Sequence, residues 1–128
     1  MYLLVPNKYG YSFAEQIKKV FIARLKIKFN VRKTIAINTA LINEYNLNQN
    51  ISIEEIFDYM YDHIVIKPFG SYYKIQIDPN IRMYGTSVKL VTLVKFITYG
   101  NLNQKGYRVI LDVIKDLRKE IDEIISEE

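Results

Sequence analysis

Apolar residues recur at helical spacing in three stretches of this chain, which predicts three helices. The first begins at a capping box, residues 12–15, in which the Ser12 hydroxyl can accept a hydrogen bond from the N3 amide. The second follows another capping box at residues 52–55, and the last covers residues 107–125. In each stretch the Ile, Leu, Val and Phe side chains fall on one side of the helix, which is typical of a helix that packs on a core.

A period of two replaces the helical period in two places, which predicts strands. Apolar residues alternate with polar ones from Leu25 to Arg32, so we expect a half-buried strand with a basic outer face there. A β-hairpin is predicted further along the chain, with strands at residues 64–66 and 72–77. Its turn is placed at residues 67–70, where Pro68 suits the first turn position and Gly70 the last.

Two more segments are assigned to helices. Residues 34–45 fit either a strand or a helix, and we favour a helix capped by Thr34. Residues 88–99 fit a helix that Ser87 caps and Gly100 ends. Polar side chains occur only at every third position of this second segment, so most of its surface should be buried, in the core or against a partner. We expect it to pair with the last helix as an αα-hairpin.

These elements predict an α+β fold for a chain of 128 residues, a length that suits one small domain with one core. The expected architecture has about four to five helices, a β-hairpin, one further strand and a C-terminal αα-hairpin. Apolar residues make up 49% of the chain, in agreement with a packed globular protein.

Several kinds of functional site find no support in the composition. The chain has no Cys, which rules out disulfides, thiolate zinc sites and iron–sulfur clusters. Its one histidine, His63, neighbours Asp62 but no positioned nucleophile, so we expect a structural hydrogen bond there rather than catalysis. The glycines are isolated and form no phosphate-binding loop. We therefore predict no catalytic residue, metal site or cofactor, and expect a protein that is not an enzyme.

Charged residues occur in blocks of one sign. Residues 1–34 are strongly basic, whereas residues 35–62 carry acidic residues and no Lys or Arg. Such segregation suits head-to-tail assembly, in which a basic patch of one subunit meets an acidic patch of the next. The alternative is that folding mixes the blocks into an ordinary solvated surface. The candidate interface residues are Lys18, Lys19, Arg24, Lys26, Lys28 and Arg32 on the basic side, and Glu54, Glu55, Asp58 and Asp62 on the acidic side.

Two features point to nucleic acid instead. Tyr2, Tyr9 and Tyr11 lie near Lys8, and tyrosine can stack on bases while lysine neutralises phosphate. The order helix, strand, helix, helix and hairpin over residues 12–77 also resembles that of a winged-helix module. The helix before the hairpin would carry four carboxylates, however, which a phosphate backbone repels, and the whole-chain charge is only +4. We expect such a module to bind protein rather than DNA.

The leading hypothesis is therefore a non-enzymatic structural or assembly protein that forms homo-oligomers or docks on other protein subunits. Abundant Ile, Lys, Asn, Tyr and Phe indicate A/T-rich codons. With the small size, this favours a bacteriophage virion component such as a head–tail connector or tail-completion subunit. The alternative is a small winged-helix-like nucleic-acid-binding regulator. The apolar start is too short for a signal peptide or a membrane span, so we expect the protein in the host cytoplasm or a virion, with no membrane partner.

Overall fold

The computed structural model describes residues 1–29, 53–83, 85–90, 92 and 106–127. Within these ranges the chain has the α+β class expected from its sequence, with three long helices and two small antiparallel sheets. The predicted helix at residues 34–45 lies outside them. In chain order the elements are β1 (Tyr2–Pro6), a 3-10 turn (Asn7–Tyr9), α1 (Tyr11–Lys28), α2 (Ile53–Asp62), β2 (Ile64–Phe69), β3 (Tyr72–Ile77), β4 (Asn80–Met83), β5 (Thr86–Lys89) and α3 (Gly106–Ser126).

The larger sheet has three strands, with β3 in the centre and β1 and β2 antiparallel to it on either side. Leu3 lies opposite Ile75, and Ile64 lies opposite Ile77. These four side chains are buried, whereas the residues that alternate with them are not. One face of the sheet therefore packs on the core and the other faces solvent, as is common in antiparallel sheets.

The predicted β-hairpin is confirmed as β2 and β3, but its turn lies elsewhere. β2 continues through the expected turn residues Lys67 and Pro68 to Phe69, and only Gly70 and Ser71 connect the strands. Gly70 has a φ of 58°, a left-handed conformation typical of two-residue hairpin turns, whose backbone follows the twist of the strands. Pro68 is compatible with β2 because proline is tolerated in an edge strand.

The predicted first helix is confirmed, but it extends through the segment assigned to a strand. α1 continues to Lys28, and Phe29 ends it, so the expected strand at 25–32 is wrong over its described part. Leu25 and Phe29 continue the buried spacing of Phe21 and Ile22, whereas Ile27 points outward and is 76% exposed. The alternation of lysine with apolar residues fitted both periods, and packing of one helix face on the core decides between them.

The two capping boxes have different outcomes. The N-cap residue of α1 is Gly10, with a φ of 87° and no side-chain hydrogen bond, and Ser12 lies inside the helix, so the predicted Ser12 cap is wrong. The helix after the second box is confirmed as α2. Ser52 itself lies outside the described residues.

A second hairpin was not predicted. β4 pairs with β5, with Ile81 opposite Val88 and Arg82 opposite Ser87. Ser87 is thus a strand residue rather than the cap of a helix, and helical backbone begins only at Leu90, whose amide donates to the carbonyl of Pro79 at 2.8 Å. Most of the helix predicted at residues 88–99 lies outside the described residues, and so does the first arm of the expected αα-hairpin.

One cluster of buried apolar side chains joins all three helices to both sheets. α3, predicted at residues 107–125, is confirmed, and it packs against α1 and β1.

Asn7, directly after β1, forms hydrogen bonds with the β2–β3 turn. Its backbone amide donates to the carbonyl oxygen of Ser71 at 2.9 Å, and its side-chain Nδ2 donates to the carbonyl oxygen of Gly70 at 3.3 Å.

Two alanine substitutions on α1 test whether residues 25–27 form a helix or a strand. In a strand Leu25 and Ile27 would share a buried face, whereas in α1 only Leu25 is buried. Leu25→Ala should lower the free energy of unfolding by about 2–5 kcal/mol. Ile27→Ala should change it by no more than about 0.5 kcal/mol. Denaturant titration of both variants measures the difference, and equal losses would contradict the helical assignment.

Candidate functional site

One pair of the residues predicted to meet between subunits meets within the chain, and a second predicted residue has an aromatic partner there. Lys26 Nζ lies 3.6 Å from Asp58 Oδ1, which links α1 to α2. Lys18 Nζ lies 4.1 Å from the ring centre of Tyr61, also on α2, a cation–π contact. This part of the charge pattern therefore has partners inside one molecule, as in the ordinary mixed surface considered from the sequence.

Arg24 has its partner on α3. Its Nη1 donates to Glu120 Oε2, and its Nη2 donates to Glu120 Oε1 at 2.7 Å, so the pair is bidentate. The hydrogen bond from Arg24 lowers the pKa of Glu120, and the same bond raises the pKa of Arg24. Both side chains are partly exposed, so the contribution to stability is modest.

The remaining candidates are spread over the surface. Lys19 and Lys28 on α1 and Glu54 and Asp62 on α2 are exposed, and Arg32 lies outside the described residues. One open depression on α2 is lined by Glu55, Asp58, Tyr59 and Asp62. Among the described residues no three His, Asp or Glu side chains are grouped to hold a metal ion.

His63 connects the end of α2 to β4. Its Nδ1 lies 2.7 Å from the carbonyl oxygen of Tyr59, and its Nε2 lies 3.0 Å from the amide nitrogen of Arg82. An amide can only donate, so Nε2 accepts and Nδ1 carries the proton that is donated to Tyr59. Both ring nitrogens thus bond to backbone atoms, which is the structural role expected for this residue.

The solvent face of the three-stranded sheet has a different composition from the rest of the surface. The register of the strands places nine side chains on it, in three rows that cross the sheet. We call this surface the outer face. Its rows are Tyr2, Gln76 and Val65; Leu4, Lys74 and Lys67; and Pro6, Tyr72 and Phe69.

Three aromatic rings of the outer face are open to solvent. Phe69 is 52% exposed, and Tyr2 and Tyr72 are each 40% exposed. Phe69 and Tyr72 are cross-strand neighbours beside the turn, while Tyr2 lies at the opposite corner. Exposed large apolar side chains grouped in this way mark contact surfaces more often than scattered ones do.

A lysine lies between the two corners. Lys74 Nζ is 4.7 Å from the ring centre of Tyr2 and 5.3 Å from that of Phe69, so one cation contacts both rings. Arg118 of α3 extends the positive charge past the edge of the sheet. Its guanidinium carbon lies 5.4 Å from the Tyr2 ring centre, and its Nη2 donates to the Tyr2 carbonyl at 2.8 Å.

The central row of the outer face contains two like charges. Lys67 and Lys74 lie directly opposite each other on β2 and β3. Such a pair is destabilising unless an anion lies close by. The three strands, which the structure describes completely, contain no Asp or Glu. The outer face is therefore an aromatic and basic surface with no acidic residue in its strands.

This surface is not predictable from the sequence, where Tyr2 is only a possible stacking residue. Lys67 is expected in a turn and residues 2–6 have no predicted element, so the rows could not be assembled. The alternation of Leu3 and Val5 with Tyr2 and Leu4 was a signal, but all four residues are apolar or aromatic. A two-residue period is visible only when one of its faces is polar.

Comparisons with known proteins add no assignment: no family model matches the chain, and neither the curated proteins nor the solved structures contain a significant match. Among the described helices, none combines the length and the apolar character that a membrane crossing requires.

The Arg24–Glu120 pair predicts a dependence of stability on pH. Because the folded-state pKa of Glu120 is lowered, its contribution is complete above the ordinary glutamate pKa and is lost as the pH falls through the folded value. Glu120→Gln should therefore lower the free energy of unfolding at neutral pH, by no more than about 1 kcal/mol for a pair so exposed. The difference from the unaltered protein should shrink in acid.

Denaturant titrations at several pH values measure this difference. Glu123→Gln is the matched control, because Glu123 is exposed on the same helix and has no cation partner among the described residues. A Glu120→Gln difference that stays constant down to strongly acidic pH would contradict the assignment of the lowered pKa to Arg24.

Proposed function

We propose that this protein is a non-enzymatic binding protein that holds a polyanionic macromolecule on its outer face. The observation that carries the proposal is the opposed pair Lys67 and Lys74 in strands that contain no carboxylate. An anion bound over this row would relieve the repulsion between the lysines, so ligand binding and stability are linked at the same two residues.

Local charge, rather than net charge, governs such binding. The chain as a whole carries only +4, but the potential near a surface depends on the charges closest to it. Lys67 and Lys74 supply two positive charges in the central row of the outer face, and Arg118 supplies a third at the edge of the sheet beside Tyr2. By contrast, Arg24 and Lys26 of the predicted interface already pair with Glu120 and Asp58.

The two hypotheses drawn from the sequence are affected differently by the fold. The winged-helix order required a strand at residues 25–32, and α1 occupies its described part. A nucleic-acid ligand remains compatible with the proposal, but on the sheet rather than on a recognition helix. The assembly hypothesis is supported by one observation, an exposed apolar stripe on α1.

Substitution of one lysine tests the proposal through two opposite effects. Lys67→Gln removes the like-charge contact, so the free energy of unfolding without ligand should rise by a few tenths of a kcal/mol, roughly 0.2–0.5. The same change should weaken binding of a polyanion and reduce the slope of log K against log salt concentration by about 0.7, as expected for one lost phosphate contact.

Inorganic polyphosphate serves as the probe, with binding followed by titration calorimetry at several salt concentrations. Lys119→Gln is the control, because Lys119 is exposed on α3 two positions from the buried Leu117 and faces away from the core. Failure of the unaltered protein to bind polyphosphate at low salt, or equal effects of the two substitutions, would refute the proposal.

A role in assembly is the second candidate function. Val20, Ala23 and Ile27 lie along one side of α1, all three are exposed, and Ile27 is 76% exposed. Such an apolar stripe on a helix is typical of a surface that contacts another protein. The virion role suggested by composition remains a prediction within this candidate.

Light scattering of the purified protein tests this second candidate. If α1 mediates self-association, the protein should form a defined multimer, and Ile27→Lys should shift it to monomer. The unfolding midpoint measured at a dilution where both proteins are monomeric should not change, because Ile27 contributes little to the core. Lys19→Glu, beside the stripe, reports whether charge alone has the same effect. A protein that is monomeric at high concentration with and without the substitution would count against homo-oligomer assembly through α1.

A further inference from the structure

We infer that the polyanion held on the outer face is a single-stranded nucleic acid, whose bases stack on Tyr2, Phe69 and Tyr72 while its phosphates contact the cations between them. This inference rests on the proposed function and names its ligand. It adds a requirement for aromatic rings that binding of a simple polyanion does not have.

The rings are the first reason. Aromatic side chains in solvent can stack on unpaired bases, and every base offers a face suited to this contact. Phe69 is the most exposed of the three rings, although its side chain has no polar group that could hydrogen-bond to water. A simple polyanion would leave Phe69 and Tyr72 with no role, whereas a nucleic acid uses rings and cations together.

The alternation of rings and cations is the second reason. Lys74 Nζ lies within 5.3 Å of the ring centres of both Tyr2 and Phe69, so these two centres are no more than 10 Å apart with a positive charge between them. Each nucleotide of a single strand likewise carries one base and one negative phosphate. Lys67 adds a second positive charge beside Lys74 in the central row, and Arg118 adds one at the Tyr2 end of this diagonal.

The shape of the surface favours a single strand over a duplex. In a duplex the base faces are stacked on one another, and proteins reach the base edges with elements that enter a groove. The outer face is a three-stranded sheet, and its exposed rings can stack only on bases that are not already stacked. These contacts use base faces and phosphates, which single-stranded DNA and RNA share, so the inference covers both.

A protein ligand would use the same surface differently. An acidic protein could neutralise Lys67 and Lys74, and its apolar side chains could cover Phe69 and Tyr72. That contact would tolerate leucine in place of the rings, since leucine buries a similar apolar area. Stacking would not tolerate it, because leucine has no flat π-face. Substitution by leucine therefore separates the two ligands.

Fluorescence anisotropy with labelled oligonucleotides tests the inference. The probes are oligo-dT and oligo-rU of about 12 nucleotides, a length within the range for such sites, an abasic strand of equal length, and a duplex. We expect the base-containing single strands to bind at least about tenfold more tightly than the abasic strand, which corresponds to about 1.4 kcal/mol, within the range for one stacked base.

Phe69→Leu and Tyr72→Leu should each weaken binding of oligo-dT by at least about fivefold, and leave binding of the abasic strand almost unchanged. Tyr11→Leu is the matched control. Tyr11 is an exposed tyrosine on α1 whose ring contacts Tyr73, an inner-face residue, so oligo-dT affinity should not change. Denaturant titration confirms that each variant is folded.

The outcomes separate this inference from the proposed function. Equal affinity for oligo-dT and the abasic strand, no effect of the leucine substitutions, or tighter binding of duplex would each overturn the inference. If polyphosphate binding still depends on Lys67 in those cases, the proposed function stands with a different polyanion as ligand. Absence of binding to every probe at low salt would remove both, and would leave a protein contact at this face.

Discussion

Burial of Leu3, Val5 and Ile75 between the sheet and its covering helices is the constraint on which the surface chemistry depends. Side chains alternate strictly along a strand, so a shift of one residue in any register would exchange the two faces. The apolar residues that pack on α1 and α3 thereby fix Tyr2, Lys74 and their neighbours in solvent. Packing of the inner face on the core thus determines which side chains lie on the outer face.

Charge in this molecule follows two different arrangements. Between the helices, cations have local partners: Arg24 bonds to Glu120 and Lys26 lies near Asp58. On the sheet, Lys67 faces Lys74 and the neighbouring groups are rings and neutral side chains. Blocks of one sign along the sequence therefore predict little by themselves, since helix packing brings opposite blocks together while strand pairing brings like charges together.

The elements that could be predicted were those with a one-sided pattern. α2, α3 and β3 have apolar residues on one side and mostly polar residues on the other, so their periods are unambiguous. β2 could be predicted because the β-branched run Ile64 to Ile66 is followed by a proline and a glycine. The end of α1 was misassigned because Leu25, Ile27 and Phe29 fit two periods, and only the core distinguishes them. β1 and the β4–β5 hairpin are short, and four or five residues carry too few repeats. The outer face combines β1 with β2 and β3, so it could not be predicted before both edge strands were placed.

The contacts of Asn7 have a consequence for the proposed binding at the outer face. By bonding to the carbonyls of Gly70 and Ser71, Asn7 ties the chain after β1 to the connection between the other two strands. All three strands are thus fastened together at the end where Phe69 and Tyr72 project. Side chains on a backbone that is already rigid lose less conformational entropy when a ligand arrives. In the proposed complex, this asparagine clamp would have restrained that end of the sheet before the ligand binds, which would leave more of the intrinsic contact energy for affinity.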